Sequence, residues 1–309
     1  MICSNYHIPV MAEEIINHIV TNKNGTYLDC TLGGGGHSEA ILNSLDPEGF
    51  VIGVDRDPEA IKFASERFGK RKNFKAFNIA FGSLKDVPDI IYGQKFDGII
   101  FDLGVSSKQI DDPERGFSYS SDGMLDMRMD PQTAVSAKEI VNTYSKKELQ
   151  GIFFEYGEEK RSAYIADKIV SRRLERGIES TIDLAEIISS AVGYKYRVKT
   201  LSRVFQALRI VVNGELDELQ KALEISVTIM KEGARAGVIS YHSLEDRIVK
   251  NFISENSKKC ICPVSFPKCL CETTPKVMNI AAKVIRPQED EIRINPRSRS
   301  AKLRVFERI

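Results

Sequence analysis

The segment Leu28 to Ser38, LDCTLGGGGHS, constrains this chain more than any other. An apolar run ending in an acid gives way to four consecutive glycines and then to a helix start. Glycine accepts positive φ and carries no Cβ, so such a turn lets a ligand lie against bare backbone at a strand's carboxyl end. A second apolar run, GFVIGV, ends in Asp55, about 20 residues beyond the glycines, where a carboxylate suits the two hydroxyls of a ribose. Together these features predict a nucleoside-containing cofactor. The dinucleotide spacing G-x-G-x-x-G fails, because the third glycine falls on Ser38 or Glu39 according to the starting point. A nicotinamide oxidoreductase is disfavoured on that ground.

The coarse pattern is α/β. Strands are expected at Thr26 to Cys30, Phe50 to Val54, Asn73 to Ile79 and Phe96 to Gly104. Helices are expected between them, at His37 to Leu45, Pro58 to Phe68 and Ser83 to Tyr92. Alternation of this kind makes a mostly parallel sheet whose ligands gather at the strands' carboxyl edge. Asp29, Asp55, Phe81 and Asp102 all fall at or just past such ends. The rhythm stops after Asp102. Helices are expected at Glu158 to Leu174, with Ala166, Ile169, Val170 and Leu174 on one face, and at Ser180 to Val192, opened by a Ser180–Asp183 capping box. A helix at Glu215 to Lys231, a strand at Ala236 to His242 and a final strand KLRVFERI then resume the sheet. In SYHSLEDR a second capping box is expected from Ser243 and Asp246.

The glycine turn resembles motif I of class I S-adenosylmethionine-dependent methyltransferases, with Asp29, Thr31, Gly33 and Gly35 in the pattern and Thr31 in place of its first glycine. The remaining motifs narrow this further. HIPVM, TLGGGGHS, VDRDP, the block from Asp102 to Asp130, VFQALRIVVNGEL, SYHSLEDRIVK and NPRSRSAKLR together resemble the RsmH (MraW) family of bacterial 16S ribosomal RNA cytosine-N4 methyltransferases. The resemblance spans nearly the whole chain. It implies a class I methyltransferase fold with an inserted all-helical domain that helps hold RNA, giving domains at 1–108 with 214–309 and at 109–213. It implies S-adenosylmethionine as donor, and as acceptor the exocyclic amine of a cytosine in the decoding centre, near the P site, of 16S rRNA within the 30S subunit. It also implies cofactor contacts at Gly35, Gly36, His37, Asp55, Phe81, Asp102 and Gln109.

Residue chemistry runs alongside those implications. Backbone amides at Gly35 to His37, at a helix start, can meet a carboxylate. Phe81 can stack on adenine or serve as a core phenylalanine. Asp102 can offset a sulfonium cation and accept a proton from an amine as charge develops. Gln109 rests on the resemblance alone. Many amino-methyltransferases carry Asp/Asn-Pro-Pro-aromatic after the fourth strand; here the run is Asp102-Leu103-Gly104-Val105, so an aromatic platform is expected from another segment. His242, at a strand end, either contacts the target base or pairs with backbone.

Net charge is +1 over 309 residues, so contacts to nucleic acid must be local. Tyr194 to Arg209 holds five basic residues, two tyrosines and no acid; Ile292 to Phe306 holds five basics and no acid. RNA contacts are expected at Lys195, Arg197, Lys199 and Arg203 and at Arg297 and Arg299, with the base single-stranded or flipped to reach a buried methyl. A non-catalytic RNA-binding module would explain these stretches but not the acids at one rim. The opening residues lack a basic, apolar signal segment and no run approaches a bilayer's thickness, so a cytoplasmic chain without membrane contact is expected. Cys260, Cys262, Cys269 and Cys271 form two C-x-C pairs able to ligate zinc or iron–sulfur. The implied chemistry does not require a metal, and none is expected.

Overall fold

The computed structural model describes residues 9–86, 93, 95–260, 262, 271 and 273–309. In chain order the strands are β1 (Thr26–Asp29), β2 (Phe50–Asp55), β3 (Phe74–Asn78), β4 (Phe96–Asp102), β5 (Met230–Ser240), β6 (Val277–Asn279) and β7 (Lys302–Arg308). They form one sheet in the order β3-β2-β1-β4-β5-β7-β6. β1 to β5 run parallel, and β7 is antiparallel to both β5 and β6. This is the class I methyltransferase topology, and the strand order reverses between β1 and β4, where ligands of open α/β sheets bind.

The pleat sends alternate residues to opposite faces. Leu28, Ile52, Ile99, Phe101 and Val238 pack with Leu219, Leu223 and Phe252. Tyr27, Val51, Ile100, Ile239 and Val305 pack with Ile15, Ile19, Ile41 and Phe68. Burial on both faces explains why the central strands read as continuous apolar runs rather than alternating ones.

The chain divides into two compact units, 1–104 with 216–309, and 105–215. The second is helical: Ser107–Asp111, Ala137–Thr143, Lys146–Glu155, Ser162–Glu175, Thr181–Ser190 and Arg197–Asn213, with a single isolated bridge between Met124 and Ser180 among the described residues. Its core gathers Phe153, Ile165, Ile169, Leu184, Ile188, Leu201 and Leu208. Asn213 pins the segment before it, accepting from Met129 N at 2.8 Å and donating to Met127 O at 2.8 Å. The box at Ser180 forms with Asp183 as its partner. The preceding helix begins at Ser162 rather than Glu158, because Glu158 takes a left-handed φ of 48° and Glu159 turns inward. Leu174 leaves the expected apolar face and is 82% exposed at the last turn.

Several boundaries differ in the first unit. β5 starts at Met230, directly after the helix Glu215–Ile229, six residues earlier than the apolar run Ala236 onward predicts. Gly233, at φ 75°, lies inside that strand, where the register with β4 also shifts between Phe96 and Gly98. Of the helix expected at Ser83 to Tyr92, residues 83–86 belong to a 3₁₀ turn over Phe81–Asp86; residues 87–92 lie outside the described residues. The second capping box is displaced by one residue. His242 is the N-cap of Ser243–Asn256 and Glu245 its reciprocal partner, whereas Asp246 is drawn to Lys302 Nζ at 3.0 Å and Arg304 Nε at 2.7 Å on β7.

Candidate active site

The glycine turn is held by the acids around it. Asp29 is buried and accepts from Thr31 N at 3.1 Å and Ser38 Oγ at 2.7 Å. Asp55 accepts from Gly33 N at 2.8 Å and Asp57 N at 2.9 Å, so one carboxylate binds the turn and the start of the next helix together. Gly35 N closes onto Leu32 O at 2.7 Å, which leaves the first-turn amides of Gly36 and His37 among the donors without an intrahelical acceptor. Gly35 sits at φ 77°, and a Cβ there would meet the Phe68 ring at 2.5 Å. Only glycine fits this approach without strain.

β1, β4 and β5 bring a second set of groups to the same edge. Asp102, which ends β4, is fixed by three contacts, two from the ends of β1 and β5 and one from the first turn of the helix Gly36–Ser44. Its N–H donates to Thr31 Oγ1 at 2.6 Å, its Oδ1 accepts from Tyr241 Oη at 2.7 Å, and its Oδ2 lies 3.3 Å from His37 Nε2. The His37 ring is buried, and neither of its nitrogens makes an aligned hydrogen bond, so the link to Asp102 is an ion contact rather than a directed bond. Glu291 accepts from Met11 N at 2.8 Å and adds a further nearby negative charge.

The electrostatics follow from crowding acids in low dielectric. Burial raises the carboxyls of Asp29 and Glu291 above their ordinary range. Burial pushes Asp55 up to about 6, despite its two amide donors. Burial alone would lower His37, but Asp102 and Asp29 outweigh it and raise the imidazole, favouring its cation. Burial and then Asp102 lift the Tyr241 phenol well above its usual range, so it remains a hydroxyl donor. A rim whose carboxylates are costly to ionise is one that a bound cation would stabilise. The bare backbone at Gly35, the two first-turn amides, the imidazole nitrogen without an aligned partner and the surplus acid form a donor and acceptor set that fits a zwitterionic sulfonium nucleoside.

The remaining predicted residues are placed as follows. Phe81 is half-buried and packs edge-to-face on Phe101 at 6.0 Å between centroids, part core and part accessible. Gln109 lies in the helical unit and is buried there as the reciprocal partner of the Ser106 cap, accepting from Ser106 N at 2.9 Å. His242 accepts from Glu245 N at 3.4 Å through Nδ1, the backbone-pairing alternative. Tyr241, which sequence reasoning passed over, is the aromatic residue brought to Asp102, and it arrives through its hydroxyl.

In the helical unit, residues 193–199 are all exposed, including Lys195, Arg197 and Lys199 with Tyr194 and Tyr196. Arg161 and Lys195 both stand over the Tyr196 ring, at 5.7 and 6.0 Å. Arg203 is turned inward to the buried Glu159 at 3.4 Å, and Arg209 is held by Glu215 through two bonds of 2.8 Å. Of the second basic stretch, Arg297 and Arg299 are exposed in a 3₁₀ turn of the sheet unit, while Lys302 and Arg304 are committed to Asp246. A cleft of about 990 Å³, lined by Leu223, Val227, Phe252, Asn256, Lys276 and Arg308 among others, shares no residue with the acidic rim. Among the described residues no helix is long and apolar enough to cross a membrane.

Known proteins bear on this geometry directly. The profile of the MraW methylase family matches residues 4–309. The chain is 48% identical to the ribosomal RNA small subunit methyltransferase H of Caldicellulosiruptor saccharolyticus, over 98% of this chain and 99% of that one. It is 44% identical to the protein of the same name from Fusobacterium nucleatum, over 99% and 98% of the two chains, and 47% identical to that of Clostridium botulinum strain Loch Maree, over 98% and 99%. A glycine turn ringed by strand-end acids, a sheet of this strand order and a profile match along almost the entire length lead to one conclusion: the chain belongs to the MraW methylase family.

Proposed function

We propose that this chain transfers a methyl group from S-adenosylmethionine to the exocyclic N4 of a cytosine in 16S rRNA, in the decoding region of the small ribosomal subunit. The observation that carries this reading is the convergence of Asp29, Asp55 and Asp102 on the glycine turn, in a chain closely similar to proteins named for small-subunit rRNA methylation.

When bound, the donor supplies a methyl already activated on a sulfonium. The amides of Gly36 and His37 receive its carboxylate at the positive end of the helix Gly36–Ser44. Asp55 holds the ribose hydroxyls through the lone pairs not used by Gly33 and Asp57. Phe81 offers its accessible face to the adenine, and Asp102 offsets the cationic charge. On this reading Gln109 is a further donor contact, resting on the family resemblance alone.

The amine of cytosine is conjugated with its ring and weakly nucleophilic, so it needs an acceptor aimed at its N–H. Asp102 takes that proton as the nitrogen rehybridises. Tyr241 and His37 hold the carboxylate in one orientation while it does so. The helical unit, with the exposed run 193–199, grips the RNA backbone and stacks unpaired bases, assisted by Arg297 and Arg299. His242 caps the helix Ser243–Asn256 through Nδ1, while its buried Nε2, 3.1 Å from Glu245 Oε1, makes no aligned hydrogen bond.

Labelled adenosylmethionine incubated with unmethylated 30S subunits, naked 16S rRNA and DNA, followed by nucleoside analysis, tests this reading. Label is expected in N4-methylcytidine from the ribosomal substrates. Label in another nucleoside, or only in DNA, overturns it.

A further inference from the structure

Four of the six cysteines crowd into the twelve residues from Cys260 to Cys271, between the helix Ser243–Asn256 and β6. The proposed methyl transfer uses none of them. The structure gathers three: the Sγ atoms of Cys260, Cys262 and Cys271 all lie within 4.8 Å of one another. Cys269 lies outside the described residues, as does Cys3.

The spacing discriminates between the ways thiols meet. Cys260 and Cys271 place their sulfurs 3.6 Å apart, far beyond the roughly 2.05 Å of a disulfide. Zinc–thiolate bonds of about 2.3 Å in tetrahedral array set sulfurs roughly 3.8 Å from each other, close to the 3.6 Å between Cys260 and Cys271. Cys262 N–H donates to Cys260 Sγ at 3.4 Å, a backbone contact of the kind found around metal-bound sulfur. Lys258 and Lys259 directly precede Cys260 and Lys268 precedes Cys269, so positive charge stands by to offset an anionic cluster.

The place in the fold gives such a site a purpose. The connector's sequence carries Pro263, Pro267 and Pro275 and few apolar residues. Its base is pinched where Lys276 N donates to Asn256 O at 2.8 Å, and Ile309, directly after β7, joins through its N–H to Lys276 O at 3.1 Å. A segment of this kind has little apolar material to bury, and a structural metal replaces the missing core.

We propose that Cys260, Cys262 and Cys271 ligate a zinc ion that ties the two ends of this connector together. The metal is structural and stands apart from the acidic rim, so the expectation of no metal, drawn from the reaction's needs, does not reach it.

The full chain, purified without chelator under reducing conditions, is expected to carry about one zinc per chain by elemental analysis. Cobalt(II) added to the stripped chain is expected to give thiolate charge-transfer bands and the d–d bands of tetrahedral coordination, both bleached by zinc. Cys260→Ser and Cys271→Ser should each weaken metal affinity by roughly tenfold or more, while Cys30→Ala leaves the metal content intact. If the serine variants fold poorly, proteolysis of the wild-type chain gives the second readout: cleavage between Asn256 and Lys276 should accelerate when zinc is stripped. Metal far below stoichiometry with no cobalt spectrum, an iron–sulfur chromophore, or a Cys260–Cys271 disulfide trapped by alkylation would each overturn the proposal.

Discussion

Tyr241→Phe isolates the least expected contact at the rim. The substitution removes one hydroxyl and leaves the ring. The bond it deletes, Tyr241 Oη to Asp102 Oδ1 at 2.7 Å, ends on a carboxylate whose side chain is 18% exposed, so water replaces it poorly. A hydrogen bond to a charged group in such a setting contributes about 1.5 to 3 kcal/mol. If that energy holds Asp102 toward the reacting amine, its loss lowers kcat by roughly 10- to 100-fold. The backbone stays anchored, because Tyr241 N still donates to Glu245 Oε2 at 2.8 Å. KM for the donor should therefore move by no more than about threefold, the signature of an interaction made in the transition state. The phenol's raised pKa keeps it a donor at every working pH, so the defect should be pH-independent. Methyl transfer to ribosomal substrate, measured beside thermal unfolding, separates this from loss of fold. Asp102→Asn should cut turnover far more than stability, and adding Tyr241→Phe to it should cost little further, since the two act as a unit. Wild-type kcat in Tyr241→Phe, or losses that multiply in the double variant, would refute the positioning role.

Gly35→Ala should destabilise the chain by about 2 to 5 kcal/mol, combining a left-handed φ with overpacking against the buried Phe68 ring; Phe68→Leu should restore the packing part alone, and unchanged urea unfolding of Gly35→Ala would contradict the geometry. Asp55 is raised to about 6, so its contribution to stability is full below about pH 4 and is lost as pH rises through about 6, at most about 3 kcal/mol in all. Asp55→Asn should flatten that part of the stability profile, while donor affinity of the wild-type chain should weaken below about pH 6 as the carboxylate protonates; superimposable unfolding profiles would dismiss both. Charge reversal at Lys195, Arg197 and Lys199 together should weaken RNA binding and reduce the slope of log affinity against log salt by roughly 2, with donor affinity unchanged. A slope left intact in a filter-binding titration would move the RNA surface elsewhere.

The parts of the fold legible in the sequence are those fixed by short-range rules. β1, β2 and β4 declare themselves as apolar runs closed by Asp29, Asp55 and Asp102, because a strand buried on both faces has no other place for an acid than its tip. The helix Pro58–Phe68 lies where Asp57 and Pro58 place it, with Asp57 Oδ1 accepting from Glu59 N at 3.0 Å. HSLED, by contrast, holds two overlapping boxes, and local pattern gives no reason to prefer either. Glu245 wins because its carboxylate reaches Tyr241 N and His242 N, while residues 56 and 58 positions away claim Asp246. β5 starts early for a related reason: its first residues gain pairing with β4 that no apolar run advertises.

The same division runs through the site. Strand tips are brought together by topology, so a rim of Asp29, Asp55 and Asp102 follows from strand order alone. Tyr241 and Glu291 become part of it only because β5 ends beside β4 and the chain returns near Met11, facts with no local signature. Counting charge fails in the opposite direction. Tyr194 to Arg209 looks uniformly basic, yet Arg203 and Arg209 answer Glu159 and Glu215 within their own unit, and the run still facing solvent shrinks to 193–199. An acid-free stretch measures only which charges lack a partner nearby in sequence. The RNA surface proposed for this chain is drawn from charges without an ion-pair partner among the described residues, and that distinction separates Lys195, Arg197 and Lys199 from Arg203 and Arg209.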